Sequence, residues 1–523
     1  MLAAAEKPCS VDGVVRCIGG TLRKFEGEVA VVTSPILTQE GERTVIGRMA
    51  LMTEKDALEA VAAARAAWGS GQGAWPQSSP AQRIEAMERV AASLKEKRSE
   101  IVKVLTWEIC KTPADAAAEF DRTMQFIQDT IQAYRASDPG GALDPWQSTG
   151  GTLARVRRTA IGVVAVLGPS NYPLNETYCT LIPALLSGNV VVLKVPTLGG
   201  LVHFLTMESF VQHLPPGVMN FVSGSGRSTM GPMMQTGAID ALAFIGGSEA
   251  ADTIIKAHPH PHRLKLFLQL EGKNLGIVLP DADLDLAAEQ CMLGATAYCG
   301  QRCTAIKLIF VHESVADAFV PKLVARVAAL KVGLPWEHGV AITPLPDPKK
   351  PAYLQALIAD AVAKGASVVN AEQGGGGTLL SGSLMTPAVL YPVTAEMRVF
   401  REEQFGPVVP VAVFAQAQEL ADYYASTDFG QQAAVFTSQS TAAAPLIDVL
   451  ATAVGRININ SQCARSPDSL PFSGRRSSAL GTMSVSEGLR AFSIETVVAT
   501  KDGPANSAIV RGYDQTTQFL APF

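Results

Sequence analysis

The stretch from Tyr298 to Lys307 reads YCGQRCTAIK and holds the residues best suited to covalent chemistry. Two cysteines, Cys299 and Cys303, lie four apart in a run of small residues, with Arg302 before the second and Thr304 after it. A thiol attacks as its thiolate, and neighbouring cations or helix-start amides lower its pKa. An isolated cysteine is ordinarily a buried, inert side chain. Cys303 differs because matching groups recur elsewhere in the chain. GPSNYPLN places Asn171 and Tyr172 in a turn, and LKVPT places Lys194 and Thr197 behind an apolar run. REEQFGPV carries Glu403 and Phe405, and SQCARSPDSLPF carries Arg465.

The elements that must position these groups follow from hydrophobic periodicity. Ile161–Leu167 and Asn189–Leu193 are continuous apolar runs, as expected of strands buried on both faces of a parallel sheet. Helical stretches separate them from each other and from a third run, Met219–Val222. A second alternating unit begins near Leu275 and includes Ile306–Val311, the strand directly after Cys303. Alternating strands and helices imply doubly wound α/β architecture, with ligands beyond the strand carboxyl ends. Before these units, Thr53–Trp68, Ala81–Val104 and Thr112–Arg135 show helical spacing. Val29–Thr33 and Thr44–Met49 read as β-like, Asp138–Gly151 as a Gly/Pro-rich break, and GGGG at 374–377 as a surface turn. The tail from Glu487 reads as partly β-like.

At 523 residues the chain needs more than one core. A net charge of −5 points to neither nucleic acid nor an anionic membrane as partner. Eight cysteines form neither a disulfide framework nor a CxxC pair, so reduced thiols and a cytoplasmic location are expected. The longest apolar runs are too short to span a bilayer. HPHPHR at 258–263 lacks the cysteines or acids that would make it a metal site, and no metal is expected.

The GQRC segment, with the motifs around Asn171, Lys194 and Glu403, resembles the aldehyde dehydrogenase superfamily, nearest its non-phosphorylating glyceraldehyde-3-phosphate dehydrogenases. The resemblance runs from the first helices to about Val497. It implies two doubly wound α/β domains and a β oligomerisation arm. Residues 1–137 and 159–272 would form the cofactor-binding domain, 273–464 the catalytic domain, and 138–158 with 487–523 the arm and tail. It further implies Cys303 as nucleophile and Asn171 as oxyanion donor. Lys194 and Thr197 would hold the adenosine ribose, Gly247 would lie at the pyrophosphate, and Glu403 and Phe405 would contact the nicotinamide ribose. Tyr172, Arg302 and Arg465, with Arg135 as a candidate fourth, would bind a substrate phosphate. Thr197 is uncharged where a Glu would repel a 2′-phosphate, so NADP is expected, with NAD as the alternative. The small-molecule aldehyde glyceraldehyde 3-phosphate is the expected substrate, and a homodimer or homotetramer the expected assembly.

The sequence departs from the family in two places. AFIGGSEAAD has Gly247 in place of a Ser and Ala251 in place of a Gly. LQLEGK has Gln269 where the family's general base Glu stands, thirty-four residues before Cys303, and Glu271 where it has Gly. Gln cannot accept a proton from water at neutral pH. Strand alternation would place Glu271 on the same side as Gln269, so Glu271 is a candidate substitute base and, equally, a structural replacement. Acylating members that pass the acyl group to coenzyme A also lack the base. That outcome, and a non-catalytic role for the fold, are therefore the alternatives to hydrolysis.

Overall fold

The structure, a computed structural model, describes residue 7 and residues 10–137 and 146–520. The Gly/Pro-rich break expected at 138–151 falls largely outside the described residues.

Two parallel sheets form the frame. The first has eight strands in the order Ala479–Leu480, Lys265–Gln269, Ala241–Ile245, Val163–Leu167, Val190–Lys194, Met219–Val222, Val15–Ile18 and Thr21–Lys24. Its five central strands are parallel, and antiparallel pieces close both edges. Val163–Leu167, Val190–Lys194 and Ala241–Ile245 are buried at every position, because helices cover both faces. Chain order reverses on either side of Val163–Leu167, and a crevice opens at such a switch point beyond the carboxyl ends.

The second sheet runs Ser367–Val368, Ala388–Tyr391, Val408–Phe414, Ile306–His312, Asn274–Val278, Gln432–Phe436 and Arg456–Ile459. All its neighbours are parallel except the first pair. The amino ends of its strands face the crevice. Carboxyl-end loops of one sheet and amino-end approaches of the other therefore wall the same space.

Helix Pro113–Ala136 starts at Thr112, whose hydroxyl accepts from Asp115 N–H at 3.1 Å, with Pro113 at a position that needs no amide donor. The helical stretch read as Ala81–Val104 is two helices, Pro80–Glu96 and Arg98–Glu108, because Lys97 (φ −90°, ψ 2°) leaves helical geometry. A third sheet pairs Ser493–Lys501 with Thr152–Ala160 over nine residues, and Thr152–Ala160 with Gln147–Thr149. The tail is not only β: Pro504 opens a helix to Thr516. That helix buries only Val510. Val510 and Leu520 make a small core with Trp146 and Leu153 on one face of the third sheet, and Asp514 pairs with Arg155 at 2.6 Å.

Among the described residues no helix is long and apolar enough to cross a membrane. Nor does any group of three or more His, Cys, Asp or Glu among them suit a metal ion.

Candidate active site

The segment before Cys303 is shaped by consecutive left-handed residues. Helix Leu284–Thr296 ends in a tight turn where Tyr298, Cys299 and Gly300 have φ of 50°, 55° and 70°. A side chain at 300 would meet Gly406 O at 2.5 Å, so only glycine fits there. This reversal delivers Cys303 to the mouth of strand Ile306–His312, half-buried, while Cys299 is sealed in the core. The Cys303 carbonyl accepts from Asn274 Nδ2 at 2.8 Å and Lys307 Nζ at 2.7 Å, which fixes the backbone at Cys303.

One cavity of about 1190 Å³ adjoins the thiol and is lined by Asn171, Tyr172, Gly247, Gln269, Glu271 and Arg302, as well as Glu403, Phe405 and Arg465. Lys194 and Thr197 are not among its lining residues. Lys194 ends its strand beside Leu167, largely buried, and burial draws its pKa down to about 8. Thr197 is exposed.

In the turn after strand Val163–Leu167, Asn171 Nδ2 donates to Gln301 O at 2.8 Å. An amide nitrogen carries two hydrogens, so this bond holds the side chain and leaves a second donor. Tyr172 lies face-on to the buried Lys111 ammonium, 3.3 Å from its ring centroid, and edge-on to Tyr298. Lys111 is paired with Glu119, whose other oxygen takes the Leu174 and Asn175 amides, so the turn after Asn171 is tied to helix Pro113–Ala136.

Burial pushes the Cys303 thiol up to about 11; Glu176 adds to the rise, while Lys307 and Arg465 oppose it. Alkylation by iodoacetamide is therefore expected to accelerate about tenfold per pH unit between pH 7 and 10, because only thiolate reacts. A plateau below pH 9 would show that the cations outweigh burial.

In the same cavity wall, Glu403 Oε1 takes Lys307 Nζ at 2.7 Å and Gly272 N–H at 3.1 Å. Lys307 thus joins the Cys303 backbone to this carboxylate. Phe405 holds its ring near the Lys307 and Lys350 ammonium groups from a left-handed backbone, φ 49°.

Arg302, Arg465 and Arg122 also line the cavity. Arg302 is anchored through Nη2 to Gly294 O at 3.0 Å and Gln462 Oε1 at 3.2 Å, and its Nε is buried without a protein partner. Arg465 is buried and paired with Glu176 and with Asp468, the latter at 3.2 Å. The third is Arg122, which lines the cavity and grips Asp468 through two bonds of 2.9 and 2.7 Å. Arg135, the fourth candidate in the sequence, instead lies on the surface and pairs with Glu88. Glu176, Lys307 and Lys350 also escaped the sequence reading. A signal existed for the first two: a carboxylate in the otherwise uncharged helix Asn175–Leu186, and a lysine inside the apolar strand Ile306–His312. Buried charges of this kind require partners.

Gln269 ends its strand nearly buried. Nε2 makes a long contact to Phe472 O at 3.4 Å, and Oε1 has no protein partner. Glu271 is differently engaged: Oε2 accepts from Ser248 N–H at 3.0 Å, at the start of helix Ser248–Lys256. The strand stops at Gln269, so strict alternation does not carry on to Glu271.

A profile of the aldehyde dehydrogenase family matches residues 30–498. The chain belongs to the aldehyde dehydrogenase family. The NADP-dependent glyceraldehyde-3-phosphate dehydrogenase of Streptococcus equinus is 35% identical over 461 residues, 87% of this chain and 92% of that protein. The protein of that name from Pisum sativum is 32% identical, covering 83% and 86% of the two chains. Among solved structures, the NADP-dependent glyceraldehyde-3-phosphate dehydrogenase of Bacillus halodurans C-125, complexed with NADP, superposes with a TM-score of 0.84 at 31% identity, covering 94% of this chain and 99% of that one. The lactaldehyde dehydrogenase of Escherichia coli reaches the same TM-score at 25% identity, with the same coverage. The family match stops at residue 498, so helix Pro504–Thr516 lies beyond it.

Proposed function

We propose that this aldehyde dehydrogenase oxidises glyceraldehyde 3-phosphate to 3-phosphoglycerate with NADP, through a thioester on Cys303. One observation carries the reading: a half-buried thiol shares a cavity with Asn171, with Arg122, Arg302 and Arg465, and with Glu403 and Phe405. The NADP-dependent glyceraldehyde-3-phosphate dehydrogenase activity by which the relatives are named supports it.

The residues present fit a dinucleotide. Glu403 is braced at the cavity wall by two donors, and Gly246 and Gly247 leave the helix start at Ser248 free of side chains of their own. Glu403 and Phe405 would hold the nicotinamide ribose, the amides at Ser248 the pyrophosphate, and Lys194 and Thr197 the adenosine ribose. When bound, NADP supplies the acceptor for the hydride of the aldehyde carbon.

The chain's own residues do the rest. The Cys303 thiolate attacks the carbonyl carbon, forming a C–S bond as the C=O π pair moves onto oxygen. Asn171 Nδ2 and the Cys303 N–H hold that oxygen, and donors fixed before charge develops need no reorganisation. Loss of hydride restores the C=O as a thioester. Water then adds, and collapse expels the thiolate and leaves the acid. Arg122, Arg302 and Arg465 bind the phosphate, to which forked guanidinium donors are suited.

Deacylation is the step this chain equips poorly. Gln269 can orient water but cannot take its proton, and the Glu271 carboxylate is engaged at Ser248. That observation favours a second reading, in which a thiol such as coenzyme A takes the acyl group. NADPH formation from glyceraldehyde 3-phosphate, followed through the first turnover and beyond with and without coenzyme A, tests both. A strong acceleration by coenzyme A would replace hydrolysis by acyl transfer, and absence of any NADPH burst would sink both readings.

NADP is expected to bind at least about tenfold more tightly than NAD, or about 1.4 kcal/mol, because Thr197 leaves the ribose end uncharged beside Lys194. Equal or reversed affinities in fluorescence titrations would overturn this assignment. We assign residues 1–137 and 159–272 to cofactor binding, 273–464 to catalysis, and 138–158 with 487–523 to the arm. The arm's edge strand, Ser493–Lys501, exposes Val497 beside Val156, which suits pairing with a second copy in a homodimer or homotetramer. Seven free cysteines among the described residues suit a reducing, cytoplasmic compartment.

A further inference from the structure

The Ser248 N–H at the start of helix Ser248–Lys256 already holds an anion that belongs to the chain. Glu271 Oε2 takes the Ser248 N–H at 3.0 Å, and a Cβ placed on Gly247 would lie 3.0 Å from Glu271 Oε1. Gly247 and Glu271 are thus matched: without a side chain at 247, the carboxylate can lie against the helix start. Helix starts favour negative charge through unpaired N–H groups and the helix dipole. Gly246, Gly247 and Glu271 line the same cavity as Glu403, Phe405 and Cys303, so this contact lies inside the space a dinucleotide would fill.

We propose that Glu271 is a resident anion that competes with the dinucleotide pyrophosphate for the amides at Ser248, so that cofactor binding requires the Glu271 carboxylate to leave. This rests on the reading of the cavity as a dinucleotide site. Two anions cannot share one donor set: the Ser248 N–H points one hydrogen at one acceptor, and like charges at contact repel. The flanking segment is held. Leu270 N–H donates to Ser478 O, and Gly272 N–H to Glu403. The exchange is therefore a side-chain rotation of Glu271 rather than a backbone movement. The consequence is a cofactor affinity lowered by a group that makes no contact with either ribose.

The test is binding, independent of turnover. NADP and adenosine 2′-monophosphate, which lacks the pyrophosphate, are titrated calorimetrically against the full-length wild type, Glu271→Gln and Glu271→Gly. Circular dichroism confirms that each variant is folded. Both variants are expected to bind NADP at least tenfold more tightly, with adenosine 2′-monophosphate unchanged within twofold. Gln keeps the size of the side chain and removes its charge, so it isolates electrostatics from space. Unchanged or weaker NADP binding in both folded variants overturns the proposal while leaving the dinucleotide site intact. Failure of all three proteins to bind either nucleotide overturns the dinucleotide site itself, and this inference with it.

Discussion

Replacing Gln269 by Glu is expected to raise steady NADPH production about 10²–10⁴-fold while leaving the first-turnover burst unchanged, the usual worth of a general base. The two halves of the reaction draw on different groups. In the proposed mechanism acylation uses Cys303, Asn171 and the cofactor, none of which the substitution replaces. Deacylation needs a proton acceptor for water, and position 269 lines the cavity with an amide whose Oε1 has no protein partner. A carboxylate there would sit in a largely buried place, and burial raises a carboxyl pKa toward the range where a base works best. The variant's steady rate should rise with pH through that pKa, since only the ionised form is a base, whereas the wild type lacks this step. Quenched-flow and steady-state measurements on one preparation separate the phases. An unchanged steady rate with an intact burst would mean that hydrolysis is not limited by the base. A lost burst would place Gln269 in acylation instead. Glu271→Gln is the companion experiment: a roughly hundredfold fall in steady rate with an intact burst would restore Glu271 as the base.

The contrast between these two neighbouring positions shows where sequence reasoning held and where it stopped. Buried runs such as Val163–Leu167 and Ile306–His312 were legible because parallel strands covered on both faces admit little except apolar residues. The groups around Cys303 were legible because their residue types stand in motifs tied to those strand ends. Glu271 was read by strand alternation, but its strand ends at Gln269, and beyond that point direction is set by the nearest donor, Ser248 N–H. Arg122 and Arg135 share one helix thirteen residues apart, about 220° around its axis. Only one of them can face the cavity. What selects Arg122 is Asp468, 346 residues away, and no local pattern carries that contact. The helix after Lys501 follows a strand, Ser493–Lys501, whose β-like pattern covers only the first part of the tail.

Removing the Arg465 side chain is expected to lower kcat/KM for glyceraldehyde 3-phosphate about a hundredfold or more, with glyceraldehyde changed little. Two lost charge-assisted hydrogen bonds, at about 1.5–3 kcal/mol each, account for such a loss. The resting pocket complicates the simple variant. Arg465 is paired with Glu176 and Asp468, and Arg122 with Asp468, so the cations are already matched by carboxylates before any phosphate arrives. Arg465→Ala leaves Glu176 buried without its cation, and breaking a buried pair from one side costs about 3–5 kcal/mol of stability. A general loss of activity in that variant would therefore not identify a phosphate contact. The double variant Arg465→Ala with Glu176→Gln removes the stranded charge. If Arg465 binds phosphate, the double variant regains thermal stability yet still discriminates against the phosphorylated substrate. Glu176→Gln alone should move the other way, lowering KM for glyceraldehyde 3-phosphate, because the phosphate no longer has to displace a resident carboxylate. It should also shift Cys303 alkylation to lower pH, since Glu176 adds to the rise in the thiol's pKa. Equal losses for glyceraldehyde and its phosphate in the stable double variant would make Arg465 a structural residue and remove the phosphate from the substrate assignment.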